Sequence, residues 1–410
     1  MDSNIESEEL FGAHNYKPLP VVLTRGEGVY VWDTSGNRYI DMMSAYSAVS
    51  HGHCHPKLVN ILTQQASKLA VVSRAFYSDK LGAFLKKLCE LTGQDRALPM
   101  NTGAEAVETA LKAARKWAYT VKKVPENAAE IIVCEGNFHG RTIAIVGMST
   151  EPQYRSGFGP FPPGFKQIPF GDVKALESAI TPNTAAFLVE PIQGENGIIV
   201  PPEGYLKACA AICKKNNVLL ICDEIQTGMG RTGKFLASDH EGVKPDAVLL
   251  GKALGGGLLP VSAFLCRHDV MNVFTPGDHG STFGGNPLAS AVALGALNVL
   301  LEENLITQAE SSGRYLFTAL SKLHSPLIQE VRGKGLLVGL SIKPGYLSAH
   351  ALCLMLLKLG VLTKDTHGTV IRLAPPLMIT TDQIDTVVAA IAQVLSEAEI
   401  KVKEGLKQAE

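Results

Sequence analysis

No apolar run in the 410-residue chain approaches the roughly 20 residues that a membrane-crossing helix needs. Net charge is missing too: 38 Lys and Arg stand against 39 Asp and Glu, for a formal charge of -1. There is therefore no broad field to draw in nucleic acid or an anionic membrane, and a small molecule is the default partner. The eight cysteines show no regular loop spacing and fall in apolar runs such as Leu219 to Cys222 and Phe264 to Cys266. That excludes a disulfide framework and reads as reduced core thiols. Met1 to Leu10 is acidic and polar, without the apolar stretch of a signal peptide or the basic, Ser-rich character of a transit peptide, so a cytoplasmic location is expected. No internal repeat and no low-complexity linker interrupts the chain.

A chain of this length buries a large core, and two lobes sharing a cleft are expected. Val29 to Trp32 and Arg38 to Asp41, joined by Asp33-Thr34-Ser35-Gly36, read as a hairpin in a small N-terminal element. From about His51, helical patterns alternate with short continuous apolar runs: Ile131 to Cys134, Ala186 to Val189, Val218 to Cys222, Ala247 to Leu250 and Val261 to Cys266. That alternation predicts an α/β fold, a mostly parallel sheet with helices on both faces. Helical patterns at Leu288 to Leu301 and Thr307 to Leu323 lead to Val331 to Ile342, with the turn Arg332-Gly333-Lys334-Gly335, then to Val370 to Leu373 and an amphipathic helix from Thr381. The expected division is 1–50 and 301–410 for a small α/β domain built from both termini, and 51–300 for the large domain.

Two strand ends carry candidate chemistry. Leu219 to Glu224 is an apolar run ending in Asp223 and Glu224, at the end of a strand where α/β proteins bind ligands; a strand-ending Asp as often only caps the next turn. Lys252 follows the apolar run Ala247 to Leu250 and precedes Gly255-Gly256-Gly257, and a lysine is rarely buried without a reason. Together they supply what pyridoxal phosphate needs: a carboxylate to keep the pyridine nitrogen protonated and an amine for the Schiff base. Two neighbouring parallel strands would present both to one cofactor. Asn101-Thr102-Gly103-Ala104-Glu105 opens a long helix with capping-box spacing, and the small Gly103 lets an anion approach the helix amides; a well-capped helix with no ligand is the plainer alternative.

Other patterns are weaker. Gly228, Gly230 and Gly233 fit G-x-G-x-x-G and nearly a phosphate loop. Phe235 stands where a magnesium-binding Ser or Thr should follow Lys234, and Lys234 to Asp239 does not continue as an apolar helix. His51, His53, Cys54 and His55 suggest a metal site, but Gly52 and Pro56 make a tight turn and no second ligand cluster follows; hydrogen-bonding roles are expected. Cys209 and Cys213, four apart on a predicted helix without a matching pair, read as core.

In this order and over nearly the whole chain, these residues resemble the class III pyridoxal-phosphate aminotransferases, which act on terminal amines. Asn15 to Val21, Ser73 to Tyr77, Asn137 to Thr142 and Gly280 to Pro287 resemble the branch of that class that handles ornithine. The resemblance implies fold type I, with Lys252 holding the cofactor's aldehyde, Asp223 the pyridinium nitrogen and Gln226 the ring hydroxyl. Phe138 and Ile225 would cover the two ring faces. Thr102, Gly103 and Ala104 would bind the phosphate, Ser281 would also contact the cofactor, and Thr282 would reach the phosphate of the neighbouring subunit, so the resemblance implies a homodimer with sites completed across the interface.

It also implies L-ornithine as donor and 2-oxoglutarate as acceptor, which one pocket must hold in turn although their reacting ends differ in charge. Arg141 would bind the carboxylate furthest from the reacting amine, with Tyr16 and Tyr46 at the substrate. Arg372 would be neutralised by Glu195 while ornithine is bound, then freed to pair with the α-carboxylate of the keto acid. Read singly, Arg372 is an ordinary solvated arginine and Glu195 a turn carboxylate. Two positions depart from the family pattern: His139 stands where Trp is expected, and Asn196 where Ala is expected. Rival readings are a sibling acting on N-acetylornithine or 4-aminobutyrate, which Tyr16 disfavours because an acetylated donor lacks the free α-amine, and a non-catalytic binding protein on the same fold.

Overall fold

The computed structural model describes residues 3–345 and 347–403; positions 1–2 and 404–410, the outermost parts of the two expected terminal segments, lie outside them. The five apolar runs form the contiguous middle of a seven-stranded sheet, in the spatial order Ser262–Cys266, Ala247–Leu250, Leu219–Asp223, Thr184–Val189 and Glu130–Cys134. Two strands that periodicity did not reveal complete it at the edges, Arg96–Met100 and Phe165–Ile168. The first contains Pro99 and the second is half polar, compositions tolerated at an edge but not at the centre of a sheet.

All neighbouring pairs from Ala247–Leu250 to Phe165–Ile168 are parallel, while Ser262–Cys266 is antiparallel to both its neighbours. The reason is local. Only a short turned segment at Lys252–Gly255 separates that strand from the preceding one, too little for the helical crossover that parallel pairing requires.

Alternate side chains enter opposite apolar layers, as the pleat dictates. Ile131, Val133, Leu188, Leu219, Ile221 and Leu249 pack with Val107, Ala110, Leu111 and Trp117 of the helix Gly103–Trp117. Ile132, Phe187, Val189, Leu220 and Cys222 pack with Leu206, Cys209 and Cys213 of the helix Tyr205–Lys215. Six of the eight free cysteines are buried; Cys89 is intermediate, and Cys54 is exposed, so the core-thiol reading fails at Cys54.

The expected N-terminal hairpin is a three-stranded meander, Leu23–Glu27, Tyr30–Asp33 and Arg38–Asp41. Val361–Leu362, from the C-terminal part of the chain, joins it in parallel, so segments from both ends of the chain share one four-stranded sheet. A second small sheet contains Ile328–Lys334, Leu337–Ile342, Val370–Leu373 and Asp365–Thr366. Helices Pro287–Glu302, Leu305–Ser321 and Thr381–Lys403 supply much of the apolar core between the large sheet and these strands. Among the described residues no single helix is long and apolar enough to cross a membrane.

Phe187, fully buried on a central strand, sets a measurable expectation: Phe187→Ala should destabilise the fold by about 3–5 kcal/mol, read as a fall in the urea midpoint by circular dichroism. An unchanged midpoint would contradict the layer assignment.

Candidate functional site

Adjacent parallel strands place Glu190 and Asp223 side by side at their carboxyl ends, where an α/β sheet opens toward ligands. Lys252 follows the next strand by two residues in a left-handed conformation (φ 44°), an unusual backbone state for a side-chain-bearing residue. Lys252, Asp223 and Glu190 line one cavity with Gly103, Ala104, Phe138 and Ile225.

At the mouth of the helix Gly103–Trp117 the capping box is complete. Glu105 N–H donates to Thr102 Oγ1 (3.2 Å) and Thr102 N–H to Glu105 Oε2 (2.6 Å). The box uses the Thr102 and Glu105 amides, leaving Gly103 and Ala104 at the cavity wall with the positive end of the helix. This helix end, an aromatic ring, a carboxylate and an amine around one cavity fit pyridoxal phosphate: anion site, stacking face, nitrogen partner and carbonyl partner.

The two carboxylates at the strand end diverge. Glu224 accepts from Thr227 Oγ1 (2.5 Å), Ala237 N–H (2.9 Å) and Ser238 N–H (2.8 Å), and so serves the following loop. Asp223 Oδ2 accepts from His139 Nδ1 at 2.7 Å, and Oδ1 from Ile225 N–H. His139 Nε2 is buried and unpartnered among the described residues. Burial disfavours the imidazolium, but the hydrogen bond and charge of Asp223 outweigh it and raise the histidine's pKa. His139 thus puts a proton-carrying ring directly on Asp223.

Glu190 accepts from Phe138 N–H at 3.0 Å. Burial pushes its pKa up to about 7 against the opposing charge of His139. Lys252 is pulled below the ordinary lysine range, chiefly by burial and further by Arg372, with Glu195, Asp223 and Glu190 opposing.

The pair expected to act as a gate is formed. Arg372, 2% exposed, meets Glu195 through Nη1–Oε1 at 2.8 Å. Burial alone would raise the pKa of Glu195, but the charges of Arg372 and Lys252 hold it low. With its amide oxygen turned toward them, Gln226 accepts from Arg372 Nη2 and Lys252 Nζ, each at 3.0 Å. The Arg372 guanidinium also lies 5.1 Å from the Tyr46 ring centre. Asn196 donates to Gln193 Oε1 (2.9 Å), a bond within the loop that carries Glu195.

Arg141 is exposed and stacks over Tyr154 at 3.6 Å and Phe138 at 5.4 Å. Tyr16 is 73% exposed and close enough to Tyr46 to affect its titration. Ser281 and Thr282 are not brought to the cavity wall of their own chain: Ser281 Oγ accepts from Asn101 Nδ2 (2.9 Å), and Thr282 is exposed. His51, His53 and His55 diverge to Ala296 O, Asp41 and Glu303 respectively, and among the described residues no group of three or more His, Cys, Asp and Glu could hold a metal.

Sequence reading passed over Glu190 and Tyr154. Glu190 had a legible signal, since it follows a buried apolar strand just as Asp223 ends the next; Tyr154 had none, because only the fold brings it beneath Arg141.

Because the folded pKa of Glu190 lies above the ordinary carboxylate value, its favourable contribution is complete below about pH 4.5 and is lost as pH rises through about 7. Glu190→Gln should therefore stabilise the protein without added cofactor at pH 8 relative to pH 5, by up to about 3 kcal/mol. Equal gains at both pH values in thermal melts would refute the burial assignment.

The family model for aminotransferase class-III matches residues 11–395. The ornithine aminotransferase of Brevibacillus brevis is 56% identical over 395 residues, 96% of this chain and 98% of that protein. A solved ornithine aminotransferase from Toxoplasma gondii superposes with a TM-score of 0.96 at 45% identity, covering 98% of this chain and 96% of the other. A solved acetylornithine aminotransferase from Elizabethkingia anophelis gives 0.89 at 56% identity, covering 97% and 99%. With the lysine, carboxylate and helix end gathered at one cavity, the chain belongs to the class-III aminotransferases, which work with pyridoxal phosphate.

Proposed function

We propose that this chain transfers the δ-amino group of L-ornithine to 2-oxoglutarate, giving glutamate-5-semialdehyde and L-glutamate in two alternating half-reactions. The observation that carries the reading is the buried Arg372–Glu195 pair beside Lys252. A donor whose reacting end is a plain methylene and amine needs no cation there, whereas a keto acid's α-carboxylate needs one. Glu195 cancels Arg372 for the first and withdraws for the second, when Arg372 grips the carboxylate with both arms of its fork. Arg141 takes the far carboxylate in both cases, supported by the aromatic rings of Tyr154 and Phe138, and Tyr16 and Tyr46 meet ornithine. The semialdehyde then cyclises spontaneously to pyrroline-5-carboxylate.

Gly103, Ala104 and Thr102 would hold the phosphate of pyridoxal phosphate, Asp223 its ring nitrogen, Gln226 its hydroxyl, Phe138 and Ile225 its two faces, and Lys252 its aldehyde carbon. When bound, this group supplies the electron sink for the pair left when the C–H bond beside the transferred amine breaks. Lys252 Nζ, whose pKa burial and Arg372 pull below the ordinary lysine range, takes up and returns the proton from that carbon. Asp223, oriented by its hydrogen bond to His139, would meet the ring nitrogen.

The working unit is a homodimer. Phe76 (68%), Tyr77 (105%) and Phe283 (54%) are exposed on segments that approach one another where Gly285 packs on Arg74 and Leu81. Exposed aromatic clusters of this kind support an interface. Thr282, next to Phe283 and away from its own cavity, is then free to serve the partner's phosphate.

A second reading, with N-acetylornithine as donor, is favoured by the 56% identity to the Elizabethkingia anophelis protein. Trapping pyrroline-5-carboxylate with an aromatic aminoaldehyde, with L-ornithine, N-acetylornithine and 4-aminobutyrate in parallel, separates the readings. Strong product from ornithine is expected; glutamate formed only with the acetylated donor would move the substrate to that sibling.

Lys252→Ala should lower turnover by at least about 10³-fold while cofactor binding persists, and near-normal turnover would remove Lys252 from its role. Sedimentation should give a dimer that Tyr77→Asp with Phe283→Asp dissociates; a wild-type monomer with full activity would overturn the shared-site reading.

A further inference from the structure

Arg231 carries a charge that the proposed chemistry does not use. It is 0% exposed and lies in the glycine-rich loop Gly228 to Gly233, the segment that resembled a nucleotide-binding motif. Its polar partners are two carbonyls and a hydroxyl: Nη1 donates to Leu336 O (3.0 Å) and Pro375 O (2.5 Å), and Nη2 to Ser50 Oγ (2.9 Å). Leu336 N–H donates back to Arg231 O at 3.0 Å. With Asp41 as the charge that favours it, burial pulls the guanidinium's pKa down to about 9. A cation this dehydrated is costly to keep unless its position matters.

The two carbonyls face each other across one end of a ladder. Val338 pairs with Leu373 and Gly339 with Arg372 in antiparallel register; Leu336 lies two residues before Val338, and Pro375 two residues after Leu373. Arg231 therefore clamps the open end of this strand pair, close to Arg372. Its third partner, Ser50, belongs to the segment carrying Tyr46, which is tied to the same strand through Ala374 N–H to Met42 O (2.7 Å) and Leu377 N–H to Ser50 O (2.9 Å).

The glycines serve this clamp. A Cβ on Gly335 would come within 2.4 Å of the Thr232 backbone, and one on Gly313 within 2.2 Å of Gly335. Loop, hairpin turn and the helix Leu305–Ser321 thus meet backbone to backbone, which side chains would prevent.

We infer that Arg231 is a positioning residue that holds Arg372 and Tyr46 in register with Lys252 by clamping the end of the Leu337–Ile342 and Val370–Leu373 ladder; this rests on reading Arg372 as the site of the acceptor's α-carboxylate. A bidentate carboxylate contact is sensitive to small displacements. The ornithine half-reaction, in which Glu195 cancels Arg372, is not. Lysine at 231 keeps the charge, but one compact ammonium lacks the planar fork that spans three acceptors.

Steady-state kinetics of the holoenzyme with both substrates varied test this. Arg231→Lys should raise the KM for 2-oxoglutarate about tenfold while that for L-ornithine stays within about twofold, the loss corresponding to a hydrogen bond to a charged group. Ser50→Ala, which removes one acceptor from the clamp, should show the same bias at about threefold and keeps the test open if Arg231→Lys does not fold. Arg372→Lys serves as the control. If Arg372→Lys raises the 2-oxoglutarate KM and the clamp variants do not, or if they raise both KM values equally, the positioning role is overturned while the reading of Arg372 stands. If Arg372→Lys itself leaves that KM unchanged, the reading of Arg372 fails and takes the inference with it.

Discussion

Two cations, Arg372 and Lys252, share the oxygen of a single glutamine, Gln226, and the site depends on how that repulsion is settled. Burial and the nearby guanidinium both press Lys252 toward the neutral amine, the state from which it can accept a proton. Glu195 is drawn into the same space by both cations and kept ionised by them. One carboxylate therefore balances the charge at this end of the cavity. In the proposed reaction, displacing it would free Arg372 for a carboxylate of the substrate.

The fold creates that crowding from simple constraints. Parallel strands bring Asp223 and Glu190 to the same edge of the sheet, while the segment after Ala247–Leu250 is too short for a crossover and turns at Lys252 into an antiparallel strand. Arg372 arrives from a different sheet, on a strand from the C-terminal part of the chain. The Arg372–Glu195 pair thus stands where this sheet meets the large one, and the buried Arg231 bonds the carbonyls of Leu336 and Pro375 at the end of the same sheet's ladder.

His139 changes the electrostatics on the other side of the cavity. The imidazole presents Asp223 with a donor that can carry a full charge, and Asp223 raises its proton affinity. His139 and Glu190 oppose one another across this wall, the histidine's charge working against the burial that pushes the Glu190 pKa up to about 7.

Apolar runs bounded by turns were enough to find the five central strands, because a strand buried on both faces must be apolar at every position. The edge strands Arg96–Met100 and Phe165–Ile168 escaped, since half-buried edges tolerate proline and polar residues. Lys252 and Asp223 were legible for a related reason: a lysine or carboxylate directly after such a run stands where the sheet opens. Thr102 and Glu105 announced their capping box by spacing alone. By contrast, Tyr154 beneath Arg141, His139 on Asp223 and Arg231 across the Leu336–Pro375 ladder end join residues far apart in the chain, and Glu195 was matched to Arg372 beforehand only through the family resemblance. Sequence determined the elements and their chemically equipped ends, because those follow from local periodicity. Only the tertiary structure decided which charges meet, because desolvation and Coulomb energy depend on separations in space that no local pattern records.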